Sequence, residues 1–214
     1  MPMSLSSLTA DFKASVHDAA KVFEEKAGDP AASDVEFEKI LHIAAQDLAR
    51  FRPVIKKAVL SLQAGVEDYA APADIRGLLS NRWQKAKTVY WQQNNSSPMP
   101  KAELVKSGNL KFIEFYPAPT AAQLADLGAE YKYTYLAHHH IDAIAANTTV
   151  DEGDRGLLLL RAQAEFAKQL SMRGIYKPVR LRDSMTQGPR NATPAALYGQ
   201  LMREFEMQGQ RYVG

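Results

Sequence analysis

Residues Ala129 to Leu136 read A-E-Y-K-Y-T-Y-L, and no other run restricts the possible folds as much. Tyr131, Tyr133 and Tyr135 fall on one face of an extended chain, and Glu130, Lys132 and Thr134 on the other. That period of two marks a half-buried strand, because successive side chains in a strand point to opposite faces. Lys111 to Tyr116, K-F-I-E-F-Y, reads as a second strand. Between them, P-A-P-T-A-A-Q-L-A-D-L-G is longer than a tight hairpin turn. A small sheet in a mostly helical chain has open edges and little core of its own. Association with neighbouring chains is therefore the first function to consider, ahead of catalysis.

At 214 residues the chain is long enough for one domain with a substantial core. It contains no cysteine, which excludes disulfides, thiol catalysis and cysteine-ligated metals, and fits a reducing compartment. The opening M-P-M-S-L-S-S-L-T lacks the basic leader and long apolar run of a signal peptide. The longest uninterrupted aliphatic block, Leu157 to Leu160, falls far short of bilayer length. A soluble protein with no membrane partner is expected.

Charge is unevenly spread. Residues 1–50 carry five Lys or Arg against nine Asp or Glu. Residues 173–190 hold Arg173, Lys177, Arg180, Arg182 and Arg190 against Asp183 alone. Such a segment suits an acidic or phosphate-bearing surface. It equally suits a solvated loop after a helix C-terminus, where positive charge is favoured. With Tyr176 its only interleaved aromatic, the solvated loop is the default.

Apolar spacing outlines the helices. Leu8, Phe12, Val16, Ala19 and Phe23 recur at helical intervals within Ser7 to Ala27, and Gly28-Asp29-Pro30 stops the run. A second helix is expected from Ser33 or Asp34, with Ser33 and Glu36 at capping-box spacing, and Pro53 ends it. Val59, Leu60 and Leu62 precede a turn at Gln63-Ala64-Gly65, and Val66 to Tyr69 returns as a short strand. Asp74 is placed to cap a short helical turn through Leu78 and Leu79. Thr88 to Trp91 is a further strand candidate, and Q-Q-N-N-S-S-P-M-P, residues 92–100, is a loop. A long helix is expected from Glu152 to Met172, started by Thr149 with Glu152. Ile175 to Asp183 reads as extended. Thr193 then caps a last helix with Pro194 at its first position and Leu197, Leu201 and Phe205 as its stripe.

Chemistry-bearing patterns are sparse. His138 and His140, flanking His139, share a face if extended, which is workable spacing for two metal ligands. A third ligand would have to come from His17 or His42, and no H-E-x-x-H is present. The alternative places these imidazoles at a sheet edge or subunit contact. Neither G-x-S-x-G nor a glycine-rich phosphate loop occurs. Asp151, Glu152 and Asp154 cluster where a helix N-terminus attracts acids. Arg82, Trp83, Lys85, Lys87, Tyr90 and Trp91 interleave bases with aromatics, as a single-strand nucleic-acid platform does. Trp83 and Trp91 also suit an interface, where tryptophan and tyrosine are enriched.

The order of elements resembles the head-to-tail connector (adaptor) proteins of tailed bacteriophages. The likeness rests on two N-terminal helices and on V-L-S-L-Q-A-G-V-E-D-Y-A-A-P-A-D-I, residues 59–75. That stretch is similar to the family's strand–turn–strand and its Y-x-L-P-x-D segment: Tyr69, Pro72 and Asp74 match, and Ala71 replaces the leucine. N-L-K-F-I-E-F-Y-P-A-P-T resembles the family's strand ending in a proline pair, and Y-K-Y-T-Y-L-A-H the strand paired with it. T-T-V-D-E-G-D-R-G-L-L-L-L-R-A-Q-A-E-F resembles the approach to its long C-terminal helix. The pattern spans about residues 5–172.

The resemblance implies a non-enzymatic virion protein without cofactor. It would form a homo-oligomeric ring, usually twelvefold in the family, at the neck of the particle after synthesis in the host cytoplasm. Its partners would be the portal protein, a tail or stopper protein, and double-stranded DNA passing without sequence specificity. The expected fold is mainly α in an α+β arrangement, a helical bundle with a small antiparallel sheet or hairpin projecting from it. One domain is expected over residues 1–214. It comprises N-terminal helices at 5–52, a β-containing middle at 54–140, a long helix at 150–173, and an extended basic segment with a final helix at 174–214. Trp83, Trp91, Tyr131, Tyr133, Tyr135, His138 and His140 are the candidate interface. Arg173, Lys177, Arg180, Arg182 and Arg190 are a candidate portal-docking arm, and deleting Ile175 to Gly214 is expected to abolish docking without unfolding the rest. The alternatives are a small metal-dependent enzyme around His138 and His140, and a nucleic-acid-binding module using Arg82 to Trp91 and the basic tail.

Overall fold

The computed structural model describes residues 3–27, 30–83, 99–173 and 193–211. They fall into two compact units, one helical (Met1–Pro53 with His139–Gly214) and one built on strands (Val54–His138).

The helical unit contains α1 (Leu5–Ala27), α2 (Pro30–Leu48), α4 (Arg155–Met172) and α5 (Pro194–Gln210). The stripe Leu8, Phe12, Val16, Ala19 and Phe23 is buried along its whole length. It continues across a bend at His17, whose φ of 37° lies where non-glycine residues are uncommon. At the centre, Phe12 meets Phe37 edge-on at 5.6 Å, Phe37 stacks on Phe166 at 5.7 Å, and Phe23 lies 5.1 Å from Phe166. Offset and edge-to-face rings add to the large apolar area such side chains remove from water.

The helix starts differ in part from the sequence reading. α2 begins at Pro30, a favoured first position, so Ser33 lies inside the helix and fully buried rather than capping it. Glu36 pairs with Arg173 at the end of α4. Glu152–Asp154 forms a 3-10 turn ahead of α4, and the Thr149 hydroxyl accepts from the His140 amide at 2.8 Å instead of capping that turn. The last helix follows its sequence signals: Thr193 Oγ1 accepts from the Ala196 amide at 3.4 Å, and Pro194 follows the cap. Leu197 and Leu201 pack on Ala164 and Ala167 of α4, and Phe205 joins the main core. Removing Ile175 to Gly214 would therefore strip the bundle of a packed helix, and the rest would not stay intact as the sequence suggested.

In the strand unit, β1 (Val54–Ser61), β2 (Asp68–Ala70), β3 (Ile75–Arg82), β4 (Lys101–Ser107), β5 (Leu110–Tyr116) and β6 (Glu130–Ala137) form two antiparallel three-stranded sheets, ordered β1-β6-β3 and β2-β5-β4. The sheets share one core. Phe115 of β5 meets Tyr131 of β6 edge-on at 4.8 Å, and Ile75, Ala102, Ile113, Tyr133 and Tyr135 are buried around them. This is face-to-face sheet packing, with alternate residues turned inward. The chain is thus a mixed helix-and-sheet protein.

Three features of this unit depart from expectation. β5 and β6 do not pair; they lie in different sheets. The segment joining them carries α3 (Ala121–Leu127), capped by Thr120, whose hydroxyl accepts from the Gln123 amide while the Gln123 side chain accepts from the Thr120 amide. Residues after Asp74 form β3, not a helical turn. Hydrogen bonding to β6 outweighs their weak local preference, with bulges on either side of Gly77-Leu78 that leave Leu79 exposed.

Candidate interaction surface

The tyrosine face of β6 lies inside the sandwich. Tyr131, Tyr133 and Tyr135 are 2%, 4% and 6% exposed, so none can anchor a neighbouring chain unless the sandwich opens. Trp83 is likewise buried, its indole N–H donating to the Gly128 carbonyl at 2.8 Å. The inner sheet face needs large side chains to fill the space between the sheets, and these aromatics supply them. Trp91 and most of the basic–aromatic stretch around it lie outside the described residues.

Asp74 ties the rim of this core together. Its carboxylate lies 2.6 Å from Lys56 Nζ and accepts from the Tyr135 hydroxyl at 3.3 Å. Burial pushes the carboxyl up, but the Lys56 hydrogen bond and charge, with Tyr135, outweigh it and hold it below the ordinary 3.8. Burial, and after it the negative charge of neighbours, lifts the Tyr133 and Tyr135 phenols above their ordinary 10.0. A carboxyl depressed in the folded state contributes stability above its unfolded value, and loses it as pH falls through the folded value. Asp74→Asn should therefore cost up to about 1 kcal/mol near neutrality, the range for a part-exposed ion pair. That cost should shrink below the unfolded value of 3.8. Urea titrations at about pH 7 and about pH 3 check this, and equal costs at both would contradict it.

The three histidines separate into different roles. The His138 amide donates to the Asp74 carbonyl at 3.3 Å within the strand unit. In the helical unit the buried His139 ring sits between two backbone carbonyls, Nε2 2.6 Å from Arg52 O and Nδ1 3.1 Å from Thr149 O. It clamps the end of the N-terminal helix pair to the segment leading into α4. His140 Nε2 lies on the surface, 3.3 Å from Asp142 Oδ2. The Ile144 amide, and then His140, hold the Asp142 carboxyl below its ordinary value. Among the described residues no group of three or more His, Cys, Asp or Glu side chains is placed to hold a metal ion.

Surface chemistry concentrates on the outer faces of the two sheets. On the β1-β6-β3 sheet, Ile55, Lys57 and Val59 of β1 lie beside Lys132 and Thr134 of β6, with Lys57, Thr134 and Ser80 in one row. Ile55 and Val59 are 60% and 56% exposed. A depression of about 420 Å³ opens between Lys57 and Lys132. On the β2-β5-β4 sheet, Asp68, Glu114 and Glu103 align across all three strands. Tyr116 and Leu110 of β5 are 77% and 65% exposed. These residues alternate with the buried Ile113 and Phe115, which fixes them on the outer side. The sequence reading missed this surface. Val54 to Ser61 carries apolar residues on both faces, and the carboxylate row exists only through strand register.

Of the basic residues after α4, Arg173 is engaged with its own bundle, paired with Glu36 and lying over the Phe23 ring at 4.0 Å. Lys177, Arg180, Arg182 and Arg190 lie outside the described residues. No described helix is long and apolar enough to cross a membrane. No protein-family model matches the sequence, and no curated protein matches it either.

Proposed function

We propose that the protein is a non-enzymatic head-to-tail connector (adaptor) of a tailed-phage virion, a subunit of an oligomeric ring between the portal and the tail or its stopper. Support comes from the ordered motifs at residues 59–75, 109–120 and 131–138, and from one observation above the others. The small sandwich presents exposed apolar residues among charges on both outer faces, Ile55 and Val59 on one and Leu110 and Tyr116 on the other. Exposed apolar side chains on both outer faces give each subunit two candidate contact faces, as a repeating assembly needs. In this reading the ring sits in the virion neck, after synthesis in the host cytoplasm. It extends the DNA channel without reading sequence, helps retain the packaged genome and offers the tail its docking surface.

Lys177, Arg180, Arg182 and Arg190 form the arm that grips an acidic surface of the portal, while Arg173 serves the bundle. Because α5 is packed, the test is substitution rather than deletion. A variant with these four residues changed to Glu should keep the wild-type melting curve and lose at least about tenfold in affinity for the portal protein of the same genome. The wild-type affinity should fall as salt rises. Unchanged binding by that variant would remove the arm from the account.

A further inference from the structure

We propose that the outer face of the β1-β6-β3 sheet of one copy seats on the outer face of the β2-β5-β4 sheet of the next, and that this contact builds the ring. The inference rests on the ring reading above and names the surface that makes it. Both faces belong to one compact unit.

Charge selects the pairing. On the first face Lys57 and Lys132 stand with Glu130; on the second Asp68, Glu103 and Glu114 stand with Lys101. Like charges directly opposite one another across strands disfavour a sheet, and Lys101, paired with Glu103, offsets only part of the row's negative charge. A positive surface set against it relieves that repulsion. The second face against its own copy would bring three carboxylates to three carboxylates, which disfavours a two-fold contact. The opposite-face pairing is heterologous: it repeats head to tail and closes into a ring when the rotation permits. Exposed Ile55 and Val59 then face the sheet that carries exposed Leu110 and Tyr116, so the contact removes apolar area from water on both sides.

Size sets the strength. The β1-β6-β3 face, three eight-residue strands about 4.8 Å apart, presents roughly 400 Å² in projection, and the β2-β5-β4 face, with β2 only three residues long, presents less. Stable interfaces bury about 800 Å² per partner, so a single contact is weak. Closure, which gives every subunit two contacts at high effective concentration, makes the assembly durable.

The test is sedimentation equilibrium of the full chain alone, at high concentration and low salt. Wild type should self-associate, and added salt should weaken the association. K57E/K132E and D68K/E114K should each keep the wild-type circular dichroism and each lose at least about tenfold in self-association. An equimolar mixture of the two should recover it, because each then offers the face that the other lacks. The quadruple variant should recover it as well. A wild type that stays monomeric, double variants that associate normally, or a mixture that fails to recover would each overturn the proposal. Portal binding, measured separately, keeps the two ideas apart. Many copies bound to the portal by a chain that fails this test would leave the connector reading standing and remove only this contact.

Discussion

Phe166→Ala should destabilise the helical unit by about 3–5 kcal/mol, the range for truncating a fully buried phenylalanine. Phe166 is fully buried on α4, with Phe12, Phe23 and Phe37 all within 6.0 Å between ring centroids. Three aromatic neighbours from α1 and α2 cannot all collapse into the space, because rings are stiff and each is already held by another. The cavity term therefore adds to the lost transfer free energy. Urea unfolding measures the change, and a cost below about 1 kcal/mol would mean that this cluster is not the centre of the bundle.

Arg161→Ala should cost about 3 kcal/mol, for an electrostatic reason. Arg161 is buried on α4; its Nε donates to Asp47 Oδ2 at 2.7 Å and its Nη2 to Glu165 Oε2 at 3.1 Å. Removing the guanidinium leaves the buried Glu165 with Lys168 alone, at 3.1 Å. The cost is the desolvation of a carboxylate that has lost its main partner, not the value of the ion pair itself. Replacing both Arg161 and Glu165 by methionine should therefore recover much of the loss. A double variant as unstable as Arg161→Ala would place the effect in packing instead.

Helices with strong periodicity were legible in the sequence, and so was the strand with strict alternation. Leu8 to Phe23 and Leu197 to Phe205 are buried as their spacing required, and Thr193-Pro194 starts α5. Two further elements carry local signals in the sequence. Thr120 and Gln123 stand at capping-box spacing, and Gly108-Asn109 lies between Ser107 and Leu110 as a two-residue hairpin turn, with Gly108 at φ 59°. β3 had none: R-G-L-L-S-N-R does not alternate, and its extended state comes from pairing with β6.

The candidate surface was harder to see, for a related physical reason. Alternation identifies two faces of a strand without saying which one is covered. The tyrosines of β6 look like contact residues, yet a second sheet covers them, and Lys132 and Thr134 carry the accessible side. The row Asp68, Glu114, Glu103 draws on three strands and needs their register. Arg161 and Asp47 are 114 positions apart, and only the packing of α4 on α2 joins them.

The most direct test of the connector account is native mass spectrometry of this protein mixed with the portal protein of the same genome. The account predicts a discrete complex in which many copies sit on one portal ring, with a mass that gives their number. A mixture in which both proteins are folded and no complex forms would contradict it.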